Sequence, residues 1–61
     1  MDYKLRLYTK EEYTFNLVVS VEVKSLPNFT LLRIKHKSGN ISTVSLPVDV
    51  MWDTQAPVEL I

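Results

Sequence analysis

The chain has no cysteine, one histidine and one glycine among its 61 residues. Without cysteine no disulfide can form, and a single histidine cannot complete a zinc site of the usual cysteine and histidine kinds. One glycine also excludes the glycine-rich loops that bind phosphate groups. We therefore expect no cofactor and no metal. A domain of this size must then be stabilised by its apolar core or by association with another chain.

The chain also lacks an excess of charge of either sign, because seven acidic residues balance seven basic ones. A neutral chain has no general attraction to nucleic acid or to an anionic membrane. No apolar run is long enough for a membrane span or for the core of a signal peptide. We expect one domain over residues 1–61, cytoplasmic and not associated with a membrane.

Alternation of apolar and polar residues is the main signal that the sequence carries. Residues 13–23, YTFNLVVSVEV, have an apolar side chain at every second position. This period of two predicts a β-strand. Similar patterns predict strands over residues 2–9, 30–37 and 41–46, and turn residues separate them. Residues 48–52 favour a short fifth strand, and the final VELI a strand fragment or a free apolar tail.

Short loops between these strands bring the apolar faces together when Thr9 lies opposite Tyr13, Ser25 opposite Thr30, and Lys37 opposite Ile41. The prediction is an all-β, antiparallel up-and-down meander of four to five strands. The sheet is either partly curled or closed into a small barrel that resembles SH3-like folds in outline. Because the one glycine lies in a turn, we favour the partly curled sheet. The residues expected to be buried together are Phe15, Leu17, Val19, Val21, Ile34 and Val44.

The same registers place a row of bases on the polar face, opposed by Glu22 alone. A curved basic sheet with an exposed aromatic is typical of small nucleic-acid-binding domains. Exposed strands also carry Lys and Arg for solubility and to prevent edge pairing. Both interpretations stay open, and we favour the second. We call these residues the basic row: Lys4, Arg6, Arg33, Lys35 and Lys37, together with Tyr8.

The carboxyl-terminal part of the chain holds the candidates for protein interaction, since tryptophan and methionine are enriched in interface cores. An extended apolar tail can also add itself as a strand to a sheet edge. The alternative for Trp52 is that it fills the protein's own core. The candidate interaction residues are Met51, Trp52, Val58, Leu60 and Ile61.

No pattern supports catalysis, because His36 has neither a nucleophile nor an orienting carboxylate placed near it by the sequence. We therefore expect a protein that is not an enzyme. The first hypothesis is a protein-interaction module that forms a homo-oligomer or binds a larger protein partner. The second is a small domain that binds nucleic acid through the basic row.

Overall fold

A computed structural model describes residues 2–61 and shows six β-strands in one sheet. The strands are β1 (Tyr3–Tyr8), β2 (Tyr13–Ser25), β3 (Phe29–His36), β4 (Ile41–Pro47), β5 (Met51–Thr54) and β6 (Val58–Leu60). Their order is β4-β3-β2-β1-β5, with β6 paired to β2. The antiparallel meander is thus confirmed. The sheet is partly curled and does not close into a barrel, because β4 and β5 do not pair. Over residues 2–61 no helix has the length and apolar character needed to cross a membrane.

Strand β2 is long enough to pair with three other strands. Residues 13–18 pair with β1, and residues 18–25 pair with β3 on the opposite edge. Beyond the end of β1, residues 21–23 pair in parallel with β6. The chain's carboxyl-terminal strand therefore covers part of the β2 edge that β1 leaves free.

Two irregularities bend β2 near its middle. The register with β1 changes between Leu5↔Phe15 and Tyr3↔Val18, and the register with β3 changes between Val18↔His36 and Ser20↔Lys35. Leu17 has a positive φ of 54°, which is unusual for a residue with a branched side chain. Such bulges increase the local twist of a strand and bend it. The bend lets the two halves of the sheet fold toward each other.

The predicted register is correct for the hairpin of β2 and β3 as far as the pair Ser20 and Lys35, beyond which His36 lies opposite Val18 instead of Val19, and it is shifted for the other two hairpins. Strands β2 and β3 pair Val21 with Ile34 and Ser25 with Thr30, as predicted. Leu5 lies opposite Phe15 instead of Leu17, and Lys35 instead of Lys37 lies opposite Ile41. Each of these shifts is by two residues. A shift by an even number keeps the same side chains on the inner face, so the apolar face is preserved.

The core contains residues from four strands and from the turn before β6, which shows that the curled sheet covers its own apolar face. Its members are Leu5, Leu7, Val18, Val21, Val23, Leu32, Ile34, Leu46 and Ala56.

The predicted burial of Leu17 and Val19 is wrong. Leu17 is 53% exposed and Val19 is 44% exposed, whereas Val18 between them is fully buried. The bulges are the reason, since one extra residue reverses the face to which the following side chains point. Val21 and Ile34 are buried as predicted, and Phe15 and Val44 pack against the core while partly exposed.

Candidate interaction surfaces

The amino-terminal part of the basic row lies on β1 beside an acidic residue of β5. Arg6 is directly opposite Asp53, and the Tyr8 hydroxyl donates a hydrogen bond to Asp53 Oδ2 at 3.1 Å. Lys4 and Arg6 line an open depression of about 430 Å³ together with Asp2 and Asp53. This surface therefore carries both signs of charge.

The other three bases of the basic row form ion pairs with acids. Arg33 Nη1 and Lys35 Nζ each lie 3.7 Å from Glu22 Oε1, and the Glu22 side chain is only 19% exposed. Lys37 Nζ lies 3.6 Å from Asp2 Oδ1. Glu59 of β6 stands beside Glu22 in the parallel pair, on the same face of the sheet.

The structure thus brings the acids Asp2, Asp53 and Glu59 to the surface that the sequence assigned to Glu22 alone. Asp53 lies on β5 and Glu59 lies on β6. β5 pairs with β1 and β6 pairs with β2, and the alternation pattern does not reveal either pairing. The basic row is consequently a surface of mixed charge. Tyr8 is bonded to a carboxylate instead of presenting a free hydroxyl.

Met51 and Trp52, two of the candidate interaction residues, point to opposite sides of β5. Met51 lies opposite Tyr8 on the outer face and is 74% exposed. Trp52 lies opposite the buried Leu7 and packs against the core. The two side chains therefore do not form one surface.

The remaining candidates, Val58, Leu60 and Ile61, belong to β6 and the residue after it. The main chain here is held by β2: Val21 N donates to the Pro57 carbonyl at 3.0 Å, and Ile61 N donates to the Val23 carbonyl at 2.9 Å. The apolar side chains are all exposed, Leu60 by 79%. The tail thus adds itself as a strand to a sheet edge, and that edge belongs to its own chain.

The sheet of the described residues presents three strand edges to solvent, and they differ in length and charge. β5 has four residues and contains Asp53, and β6 has three residues and contains Glu59. β4 has seven residues, ISTVSLP, and none of them is charged. Exposed edge strands normally carry charged side chains, bulges or short lengths that prevent pairing with another chain. On β4 the terminal Pro47 is the sole feature of this kind.

The hydrogen-bonding direction of each β4 residue follows from the hairpin that precedes it. His36 N donates to the Asn40 carbonyl at 2.9 Å, so the pair His36 and Asn40 is hydrogen-bonded. Hydrogen-bonded pairs alternate along an antiparallel ladder, so Ser42, Val44 and Leu46 direct their main-chain groups toward β3. The N–H and C=O groups directed away from β3, toward solvent, belong to Ile41, Thr43 and Ser45.

His36, the one histidine, lies where β2, β3 and β4 meet. Its Nδ1 is 3.0 Å from the Asn16 carbonyl oxygen, and its Nε2 is 2.8 Å from Ser42 Oγ. Both ring nitrogens therefore have partners that join neighbouring strands. This geometry is that of a structural residue. Among residues 2–61 no group of histidine, cysteine, aspartate and glutamate side chains is arranged to hold a metal ion.

Comparisons with protein-family models, with curated proteins and with solved structures gave no match to this chain.

Proposed function

We propose that the protein is a protein-interaction module, not an enzyme, and that the outer edge of β4 accepts an extended segment of another polypeptide. The observation that carries the proposal is the long uncharged edge of β4, with the main-chain groups of Ile41, Thr43 and Ser45 directed to solvent. Addition of a strand to such an edge is a common way for proteins to bind peptides.

The contrast between the edges supports β4 as the binding element. The short β5 and β6 edges each include an acidic side chain, which disfavours the approach of another strand. On β4, the outward side chains of Ile41, Thr43 and Ser45 are uncharged and exposed. A strand that pairs here meets no desolvation cost from a buried charge.

Binding of nucleic acid is the second candidate function, and the surface charges favour it less. The five bases of the basic row share their surface with Asp2, Glu22, Asp53 and Glu59. Release of counterions from phosphate contacts drives this kind of binding, and it requires bases that are free to approach phosphates.

The proposal is tested with ¹⁵N-labelled protein and a synthetic peptide of alternating valine and threonine with lysine at each end. We expect the peptide to shift the amide resonances of Ile41, Thr43 and Ser45 most. Thr43→Pro removes a donor that faces solvent and leaves the bonds to β3 in place, so it should weaken binding by about tenfold, the equivalent of roughly one hydrogen bond.

Thr43→Ser is the matched control, because it keeps the N–H group and should bind as the parent does. Shifts confined to β5 or β6, or no shifts at all, would refute the proposed role of β4. Equal affinity of the Thr43→Pro and Thr43→Ser variants would also refute it.

A further inference from the structure

The outer edge of β4 is complementary to itself. β4 is the one strand of residues 2–61 without a charged or histidine side chain. An antiparallel pair of identical strands is related by a two-fold axis perpendicular to the sheet, so residues before the axis in one copy face residues after it in the other. The inner faces of both copies then lie on the same side of the joined sheet.

One register allows all the N–H and C=O groups of β4 that point away from β3 to form hydrogen bonds with the second copy. With the axis at Thr43, Thr43 faces Thr43 of the second copy, and Ile41 faces Ser45 of the second copy. These are the residues whose N–H and C=O groups point away from β3, so this register bonds all of those groups in both copies. With the axis at Val44, Ile41 would face Pro47, which has no N–H and whose carbonyl already accepts from Val50 N at 3.0 Å.

From this complementarity we infer that the strand accepted by β4 is β4 of a second copy of this chain, paired antiparallel about a two-fold axis at Thr43. The inference rests on the proposed function of the β4 edge and names its partner. The joined sheet then runs without interruption from β5 of one copy to β5 of the other.

The charges next to β4 do not oppose this contact. Arg33 is the base directly opposite Thr43 on β3. Its Nη1 lies 3.7 Å from Glu22 Oε1, so its charge is partly balanced within its own chain. Across the joined strands the two Arg33 residues are three strand spacings apart, about 14 Å. This distance exceeds the Debye length of about 8 Å at physiological ionic strength, so their repulsion is screened. The neutral net charge of the chain adds no long-range repulsion.

The side chains across the contact also fit. On the outer face Thr43 meets Thr43, a cross-strand pair that is favourable in antiparallel sheets. On the inner face Ser42 stands beside Val44 of the second copy. Edge pairing of one strand buries less surface than the roughly 1,200 Å² of a stable complex, so the dimer is weak and its population depends on protein concentration.

Disulfide trapping tests the inference, because the chain has no cysteine of its own. Thr43→Cys places two thiols on hydrogen-bonded paired residues, where Cα atoms are about 5.5 Å apart. This separation suits a disulfide. Ser45→Cys is the matched control: it lies on the same strand and face, but its Cα atoms are about 14 Å apart in this register. In a glutathione redox buffer, we expect at least about tenfold more covalent dimer from Thr43→Cys, measured by mass spectrometry.

Equal trapping of the two variants, or more from Ser45→Cys, would overturn the inferred register. No dimer from either variant would overturn self-pairing. If the valine and threonine peptide still shifted the amides of Ile41, Thr43 and Ser45 in that case, the edge would bind other strands and the proposed function would stand. If the peptide also failed to bind, both the inference and the proposed function would fail.

Discussion

Ser42 Oγ lies 2.8 Å from Nε2 of His36 and joins β4 to the end of β3. The other ring nitrogen, Nδ1, faces the Asn16 carbonyl oxygen, which can only accept. In the neutral ring Nδ1 therefore carries the hydrogen and Nε2 accepts from the serine hydroxyl. His36 thus links the bend of β2 to both following strands.

Ser42→Ala should lower the free energy of unfolding by about 1 kcal/mol, because it leaves a partly buried ring nitrogen without its partner. Ser45→Ala is the control on the same strand, where the serine is exposed, and should change stability by less than about 0.5 kcal/mol. Urea denaturation of the two variants measures both values. Equal effects would show that the bond between His36 and Ser42 contributes nothing.

Trp52→Ala should destabilise the fold, since Trp52 packs on the core opposite Leu7. We expect a loss of about 2–3 kcal/mol, below the value for a fully buried tryptophan because the side chain is partly exposed. Met51→Ala on the same strand should have little effect on unfolding. Thermal or urea unfolding measures the stability of both variants. If Trp52→Ala were as stable as the parent, Trp52 would not contribute to the core and would again be a candidate for protein interaction.

The bend in β2 gives a paired prediction for neighbouring residues. Val18→Ala should cost about 1–2 kcal/mol because Val18 is fully buried. Leu17→Gly should be neutral or stabilising by up to about 1 kcal/mol, because glycine adopts positive φ without strain. A large loss of stability for Leu17→Gly, with none for Val18→Ala, would mean that β2 is regular and that Leu17 faces the core.

Removal of residues 57–61 should expose the edge of β2 without unfolding the sheet. The apolar side chains of β6 are exposed, so the loss comes mainly from main-chain hydrogen bonds, each contributing about 1 kcal/mol or less. We expect faster amide exchange at Val21, whose partner is the Pro57 carbonyl. Trapping of Thr43→Cys should persist in the truncated chain. Its loss there would assign self-association to the carboxyl-terminal segment.

Affinity for single-stranded DNA tests the second candidate function. We expect only weak binding at low salt, with a shallow dependence on salt concentration, since three of the five bases form ion pairs with acids and Arg6 stands opposite Asp53. Glu22→Gln releases Arg33 and Lys35 and should raise the low-salt affinity, whereas Thr14→Gln, at an exposed position of β2, should not. Tight binding by the parent at physiological salt, lost on Arg33→Glu with Lys35→Glu, would instead support the basic row as a nucleic-acid site.

Alternation predicts a strand reliably where only one phase of the pattern is apolar. Residues 20–25 fit one phase, and the hairpin of β2 with β3 has the predicted register there. Leu17, Val18 and Val19 are three apolar residues in succession, so both phases are compatible with burial. The choice between them depends on the bulges, which are set by tertiary pairing with β1 and β3 and have no short sequence signal.

Tertiary pairing is also the reason why the sequence does not reveal the acids around the basic row. The positions of Asp53 and Glu59 depend on pairings between distant parts of the chain, β5 with β1 and β6 with β2. Hairpin loops fix the register of neighbours in sequence, but they do not determine where later strands dock. The short length of β5 and β6 further weakens their alternation signal.

The separation in sequence between β1 and β5 affects the order in which the protein folds. The Thr54 hydroxyl donates to the Lys4 carbonyl across 50 residues, whereas β1, β2, β3 and β4 follow one another through short turns. Closing a long loop has a larger entropy cost than closing a turn, so hairpins form earlier than pairing between distant strands. During refolding, the amides of the β1–β2, β2–β3 and β3–β4 hairpins should gain protection before those of β5, and the β1 amides that face β5 should be protected only when β5 pairs.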